Sequence, residues 1–253
     1  MQQLVDLVAR LRGPDGCPWD REQTLRSMRP YLLEEIYELL DAMEHDSGAD
    51  GLEGELGDAL FVILMLAQIA TDEGRLTLDS VCTRIVAKMI DRHPHVFGHD
   101  QTENPGGIVA WEARKKRSGA SRLDGVPQTL PALLRAHRQA EKAASVGFDW
   151  TAIDDVMRKV EEELAELRAA MAGGDEHAIE HEVGDVLLSV ANLARHLNAP
   201  PEAALRRAND RFATRFATLE RLAREDGVAL DGSTNAETLN ELWERAKAQE
   251  KSC

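Results

Sequence analysis

Two segments set the same trio of glutamates, spaced EExxE, into an otherwise apolar helical pattern: Glu34, Glu35 and Glu38 in YLLEEIYELLDAM (31–43), and Glu162, Glu163 and Glu166 in VEEELAELRAAM (160–171). On a helix, residues four apart lie about 40° from one another and adjacent residues about 100°, so each trio covers one broad sector. Each is followed by a further acidic pair three apart, Glu55 and Asp58 after the first and Glu182 and Asp185 after the second. If the helix bearing each pair folds back beside its trio, five carboxylates converge. Converging carboxylate oxygens suit a hard divalent cation such as Mg²⁺.

The same acids also suit an ion-pair network. Lys88 and Arg92 follow the first set and Arg211 and Arg215 the second, each pair four apart and therefore on one helical face. An EExxE run alone reads as a solvated face in so charged a chain. The continuation of the Glu55/Asp58 helix as ALFVILMLAQIA (59–70) argues otherwise, because a helix apolar nearly all round is buried, and buried carboxylates require a counter-charge. Five acids against two bases leave negative charge for metal to neutralise, and from the residues alone both readings stay open.

The elements that must position these groups are helices. Periodicity and breakers predict them near 1–12, 21–28, 31–45, 52–73 and 77–92, and again near 129–145, 151–172, 176–197, 200–225 and 235–249. HDSGADG (45–51) and GGDE (173–176) read as tight turns joining antiparallel neighbours. A short helix is expected around Trp111, and the Gly, Ser and Pro content of 115–131 marks a linker. The expected organisation is an N-terminal domain over 1–117, a linker over 118–128 and a C-terminal domain over 129–253.

The second domain repeats the first. Glu34 and Glu162 are 128 residues apart, Glu55 and Glu182 are 127 apart, and Lys88 and Arg211 are 123 apart; GCPWD (16–20) answers GFDW (147–150). Drift this small, confined to loops, points to duplication of one helical unit.

Composition agrees with an all-α chain and narrows its partners. The 253 residues are 43% hydrophobic, 30% charged and only 4% aromatic, with a formal charge of −15 that disfavours a nucleic-acid polymer or an anionic membrane surface. The apolar run 59–70 is shorter than the ~20 residues a spanning helix needs. Cys17, Cys82 and Cys253 show no metal or disulfide spacing, and no signal peptide is evident, so a cytoplasmic location is expected. His93-Pro94-His95 invites a zinc reading, but without further ligands at metal spacing a structural turn is the better expectation.

The ordered set GCPWD, LLEEIYELLDA, GELGDALF, RHPHVFG, VPQTLPAL, KAASVGFDW, EVGDVLLSVANLAR and RRANDRFATRF resembles the MazG-type nucleoside triphosphate pyrophosphohydrolases over nearly the whole chain. The resemblance implies two tandem all-α helical-bundle domains intertwined in a homodimer. It also implies hydrolysis of ribo- and deoxynucleoside triphosphates to monophosphate and pyrophosphate with Mg²⁺, Mn²⁺ being an alternative.

By the same resemblance Glu162, Glu163, Glu166, Glu182 and Asp185 hold the metal, Glu163 also orients the nucleophile, and Asn209, Arg211, Arg215 and Trp243 meet the nucleotide. Arg138, Lys142 and Lys247 are further candidates for phosphate. The family places activity mainly in the second repeat, which leaves Glu34, Glu35, Glu38, Glu55, Asp58, Lys88 and Arg92 as a second candidate site. The alternatives are a related hydrolase narrowed to one deoxynucleotide and a non-catalytic scaffold whose acids pair with Arg and Lys.

Overall fold

The computed structural model describes residues 1–44, 48–97 and 121–250. They form two compact units, one within Met1–Pro105 and the other within Gly106–Cys253, and among the described residues there is no strand. The short helix expected around Trp111 and the first part of the expected linker lie outside them.

The first unit comprises α1 (Gln2–Arg12), α2 (Pro18–Glu22), α3 (Arg29–Glu44), α4 (Gly48–Asp72), α5 (Leu78–Arg92) and the single turn α6 (Pro94–Phe97). Pro30 lies in the first turn of α3, where its missing N–H costs nothing. Thr77 opens α5 with a capping box: its hydroxyl accepts from Ser80 N and the Ser80 side chain accepts from Thr77 N. The helix expected over 21–28 is instead α2 and a turn, because Gln23 is extended and Thr24 and Ser27 exchange side-chain-to-backbone bonds that compete with helix.

α4 is the one described helix long and apolar enough to cross a membrane, yet it is the core helix of this unit. Its Val62, Leu64, Met65 and Ile69 pack with Val8 of α1 and with Met28, all at most 5% exposed, and Leu4 and Val5 of α1 close over them. Burial is not all round, however: Leu56 and Ile63 are about half exposed on another face.

The second unit comprises α7 (Ala132–Ala144), α8 (Ile153–Gly173), α9 (Glu176–His196), α10 (Pro201–Asp226) and α11 (Ala236–Glu250). A two-residue turn reverses the chain between α8 and α9. Gly174 takes the left-handed conformation at φ +72°, and the Asp175 carboxylate accepts from His177 N and Ala178 N to cap α9. α8 packs along α9, α7 crosses α9, and α10 pairs with α11 around Leu219, Leu222, Ala223, Leu242 and Ala246. Residues 121–126, expected as linker, fold against α7: Lys142 Nζ donates to the Asp124 carbonyl at 2.9 Å.

Candidate active site on α8 and α9

Antiparallel packing of α8 and α9 brings together most of the predicted acids of the second unit. Glu163, Glu166 and Glu182 each direct a carboxylate oxygen to within 4.8 Å of the other two. Glu182 belongs to a second such group with Asp185 and His181, whose Nδ1 lies 3.1 Å from Asp185 Oδ2. Glu163 is only 6% exposed. Glu182 Oε2 is buried and accepts no hydrogen bond, an arrangement that costs free energy unless a cation completes it. Oxygen donors at this spacing fit Mg²⁺.

Glu162, the fifth predicted ligand, lies apart from both groups, exposed and paired with Lys159 at 2.7 Å. Lys159 is a residue the sequence reading missed. Its Nζ also sits 2.7 Å from Glu163, and bonds to these two carboxylates hold its proton well above the ordinary lysine range. The signal was present in the spacing, since Lys159 stands three and four residues before the two acids. Glu166 has its carboxyl pushed up, first by desolvation and then by the charge of Glu163.

Beside the acids lies a cavity of about 340 Å³ that the sequence reading did not anticipate. α7 contributes Ala136, Gln139, Ala140 and Ala143; the following loop contributes Phe148, Asp149 and Trp150. α8 and α9 each contribute a stripe at helical spacing, Val156, Lys159 and Glu163 on one and Asp185, Leu188, Ser189, Asn192 and Arg195 on the other. Lys159, Glu163 and Asp185 thus belong to cavity and acid cluster together. Small side chains on α7 leave the space open, and the volume falls in the range of small-molecule sites.

One polar network shapes this wall. The Arg195 guanidinium donates through both terminal nitrogens to the Asp149 carboxylate, at 3.0 Å from Nη1 to Oδ2, and through Nε to Asn192 Oδ1 at 2.9 Å. His196 Nε2 lies 3.0 Å from Asp149 Oδ1. The Arg195 and His196 bonds outweigh desolvation and hold the Asp149 carboxyl below the usual aspartate range.

The predicted substrate contacts on α10 and α11 do not line this cavity. Arg215 pairs with Glu250, and Trp243 packs against the α10–α11 core with its ring 5.5 Å from Phe212. Asn209 and Arg211 are exposed on α10. Arg138 pairs with Glu141, Lys247 with Glu244, and Lys142 is bonded to the Asp124 carbonyl.

In the first unit Glu35, Glu38 and Glu55 form the corresponding group within 4.8 Å. Desolvation raises the Glu35 carboxyl, and the charges of Asp58, Glu38, Glu55 and Glu34 raise it further. Lys88 is exposed and Arg92 half-buried on α5. His93 ends α5 with its Nδ1 2.7 Å from the Met89 carbonyl, the local bond of a helix terminus; the His95 side chain lies outside the described residues.

The sequence profile of the MazG nucleotide pyrophosphohydrolase domain matches residues 23–97 and again 152–215. The chain is 42% identical to a nucleoside triphosphate pyrophosphohydrolase of Escherichia coli K12, over 99% of this chain and 98% of that protein. It is 43% identical to the nucleoside triphosphate pyrophosphohydrolase/pyrophosphatase MazG of Thermotoga maritima, over 97% and 95% respectively. Two profile matches, near-complete coverage and an acidic helix pair in each unit agree: this chain belongs to the MazG nucleotide pyrophosphohydrolase family and carries the family's domain twice.

Proposed function

We propose that the second unit hydrolyses ribo- and deoxynucleoside triphosphates to monophosphate and pyrophosphate, with the nucleoside in the α7–α9 cavity and the phosphates over the acid cluster. The observation that carries this reading is the sharing of Lys159, Glu163 and Asp185 between a nucleoside-sized cavity and a carboxylate group. A substrate seated there has its sugar side against apolar walls and its α-phosphorus beside the acids.

Glu163, Glu166, Glu182 and Asp185 are the residues that would hold Mg²⁺, or Mn²⁺ in its stead. Bound there, the cation supplies charge for the triphosphate and a water of lowered pKa. The chain's own part is placement. Glu163, fixed by Lys159 at 2.7 Å and facing the cavity, is the carboxylate positioned to orient the attacking water. Lys159 offsets part of the cluster's charge and so eases the approach of a polyanion. Trp150 and Phe148 offer aromatic surface to the base.

The substrate of such a reaction is a free nucleotide, since a net charge of −15 repels a polymer backbone. A homodimer would cover the apolar side chains of α9 that stand half exposed, Val183, Leu187 and Val190 among them. Pyrophosphate release from ribo- and deoxynucleoside triphosphates, with and without Mg²⁺, tests the proposal. Mg²⁺-dependent release abolished by Glu163→Ala is the expected result. Release that survives this substitution, or needs no divalent ion, overturns it, and a protein that binds no Mg²⁺ is the scaffold instead.

A further inference from the structure

The cavity wall contains an amide whose orientation is chemically forced. Arg195 has only donors to offer, and its Nε lies 2.9 Å from the Asn192 side chain, so the end of that amide facing Arg195 is the carbonyl. Its NH₂ therefore points elsewhere, and it donates to no other described residue. Arg195 is not free to swing away. Both its terminal nitrogens are engaged by Asp149, which His196 also contacts and whose Oδ1 accepts from Trp150 N at 2.9 Å. The loop carrying Trp150, the guanidinium and the amide are one connected unit.

We infer that Asn192 reads the base edge as a fixed hydrogen-bond donor, selecting nucleotides that present an exocyclic carbonyl, with Arg195 and Asp149 as positioning residues. The inference rests on the proposed reaction at the same site and deepens it by naming the substrate class. A 6-keto purine or 4-keto pyrimidine accepts from the Asn192 NH₂, whereas an amino group at the same place sets donor against donor and leaves both unpaired in a partly desolvated pocket. The first unit supplies the contrast. At the shift that pairs Glu55 with Glu182, Asn192 is matched by Met65 and Arg195 by Gln68, so the amide–guanidinium pair is not repeated there.

The test uses the full chain with Mg²⁺ and two near-isosteric pairs, ITP against ATP and UTP against CTP, each differing in a carbonyl for an amino group and, with it, in a ring N–H for a bare ring nitrogen. The expected wild-type kcat/KM ratio is about tenfold in favour of the carbonyl member, the worth of one neutral hydrogen bond. Asn192→Leu should bring both ratios to near one. Asn192→Asp, which can only accept, should invert them. Arg195→Met frees the amide to turn over and should also collapse the ratios, a change that loss of mere structural support would not produce. For a variant too slow to assay, the same ratios are read as Kd values of the α,β-methylene analogues. Wild-type ratios near one, or ratios unmoved by both Asn192 substitutions, overturn the inference while leaving the reaction intact. Failure of the wild type to hydrolyse any of the four removes the reaction and the inference with it.

Discussion

The two units keep the same acids and differ in what lies beside them. In the second, α9 turns Ser189 and Asn192 to a cavity whose far wall is alanine from α7. In the first, the matching α4 positions are Val62 and Met65, at most 5% exposed and packed with Val8 and Met28. Leu4 and Val5 of α1 fill in further, and the ring of Trp19, which answers Trp150 in the sequence repeat, packs edge-on to Tyr31 at 5.6 Å. One copy of a duplicated helical unit has thus turned the space beside its carboxylates into hydrophobic core. The lesson is that a carboxylate motif can be kept twice, while the residues one and two turns further along the helix decide whether open space or hydrophobic core lies beside it.

The largest effect expected from this contrast is catalytic. Glu163→Ala should lower kcat/KM for triphosphate hydrolysis by roughly 10²–10⁴-fold, the usual loss for a group that positions the reacting proton or water. Glu35→Ala, its counterpart beside a filled core, should change it by less than about twofold. Steady-state pyrophosphate release decides the matter, and equal losses in the two variants would break the asymmetry.

Exchange of the neighbouring residues probes the same contrast from the packing side. Met65→Asn places an amide at a position 1% exposed among apolar neighbours and removes volume, so it should destabilise the first unit by about 2–5 kcal/mol. The reciprocal Asn192→Met puts an apolar chain into an open cavity. It should leave thermal stability within about 1 kcal/mol of wild type or raise it, while KM rises for the nucleotides that carry an exocyclic carbonyl. Denaturant melts of the full chain read both; a tolerated Met65→Asn would mean that the first unit is looser than its core implies.

How much of this was legible in the residues follows from which forces were local. Helix type, the tight turns and the acid groups are consequences of periodicity and i, i+3 or i, i+4 spacing, and the structure assembles Glu163, Glu166, Glu182 and Asp185 from them. Where Glu162 stands could not be read from spacing, because neighbouring acids on one helix look alike until the partners of each are seen; here Lys159 bonds both Glu162 and Glu163, and only Glu163 is buried in the group. The cavity was not legible at all: Ala140 on α7 and Ser189 on α9 carry no signal until two helices distant in sequence are seen to face each other. The contacts of Trp243 and Arg215 were equally hidden, because an aromatic or a guanidinium on a helix is suited to packing and to a ligand alike, and only the pairing of α11 with α10 sets them beside Phe212 and Glu250.

Charge gives a smaller and more directional test. The Glu35 carboxyl is raised by burial and by four acidic neighbours, so its folded-state pKa lies above its unfolded one. A carboxyl of that kind favours the fold while protonated and loses that contribution as pH rises through the raised pKa. Ionised Glu35 is therefore a strain at neutral pH in divalent-free buffer. Glu35→Gln should raise Tm at pH 7 and have little effect below pH 4.5, the ordinary glutamate value, where the wild-type carboxyl is neutral as well. Added Mg²⁺ should erase the neutral-pH gain if the first cluster still holds a cation. A gain unchanged by Mg²⁺ would show that this cluster keeps its acids without a metal.

The smallest effect isolates one charge by which the clusters differ. Lys159 stands four residues before Glu163 and bonds it; the residue four before Glu35 is Tyr31, occupied by its contact with Trp19. Tyr31→Lys should give Glu35 the partner that Glu163 already has, bringing its carboxyl back toward the ordinary range and contributing about 0.2–0.5 kcal/mol as an i, i+4 pair, part of it offset by the lost ring contact. Side-chain carboxyl titration by NMR reads the shift directly, free of the stability change. A Glu35 that titrates as high in Tyr31→Lys as in wild type would mean that Asp58 and the neighbouring glutamates, not the absence of a cation, set its proton affinity. The difference between the two clusters would then lie wholly in the cavity beside them.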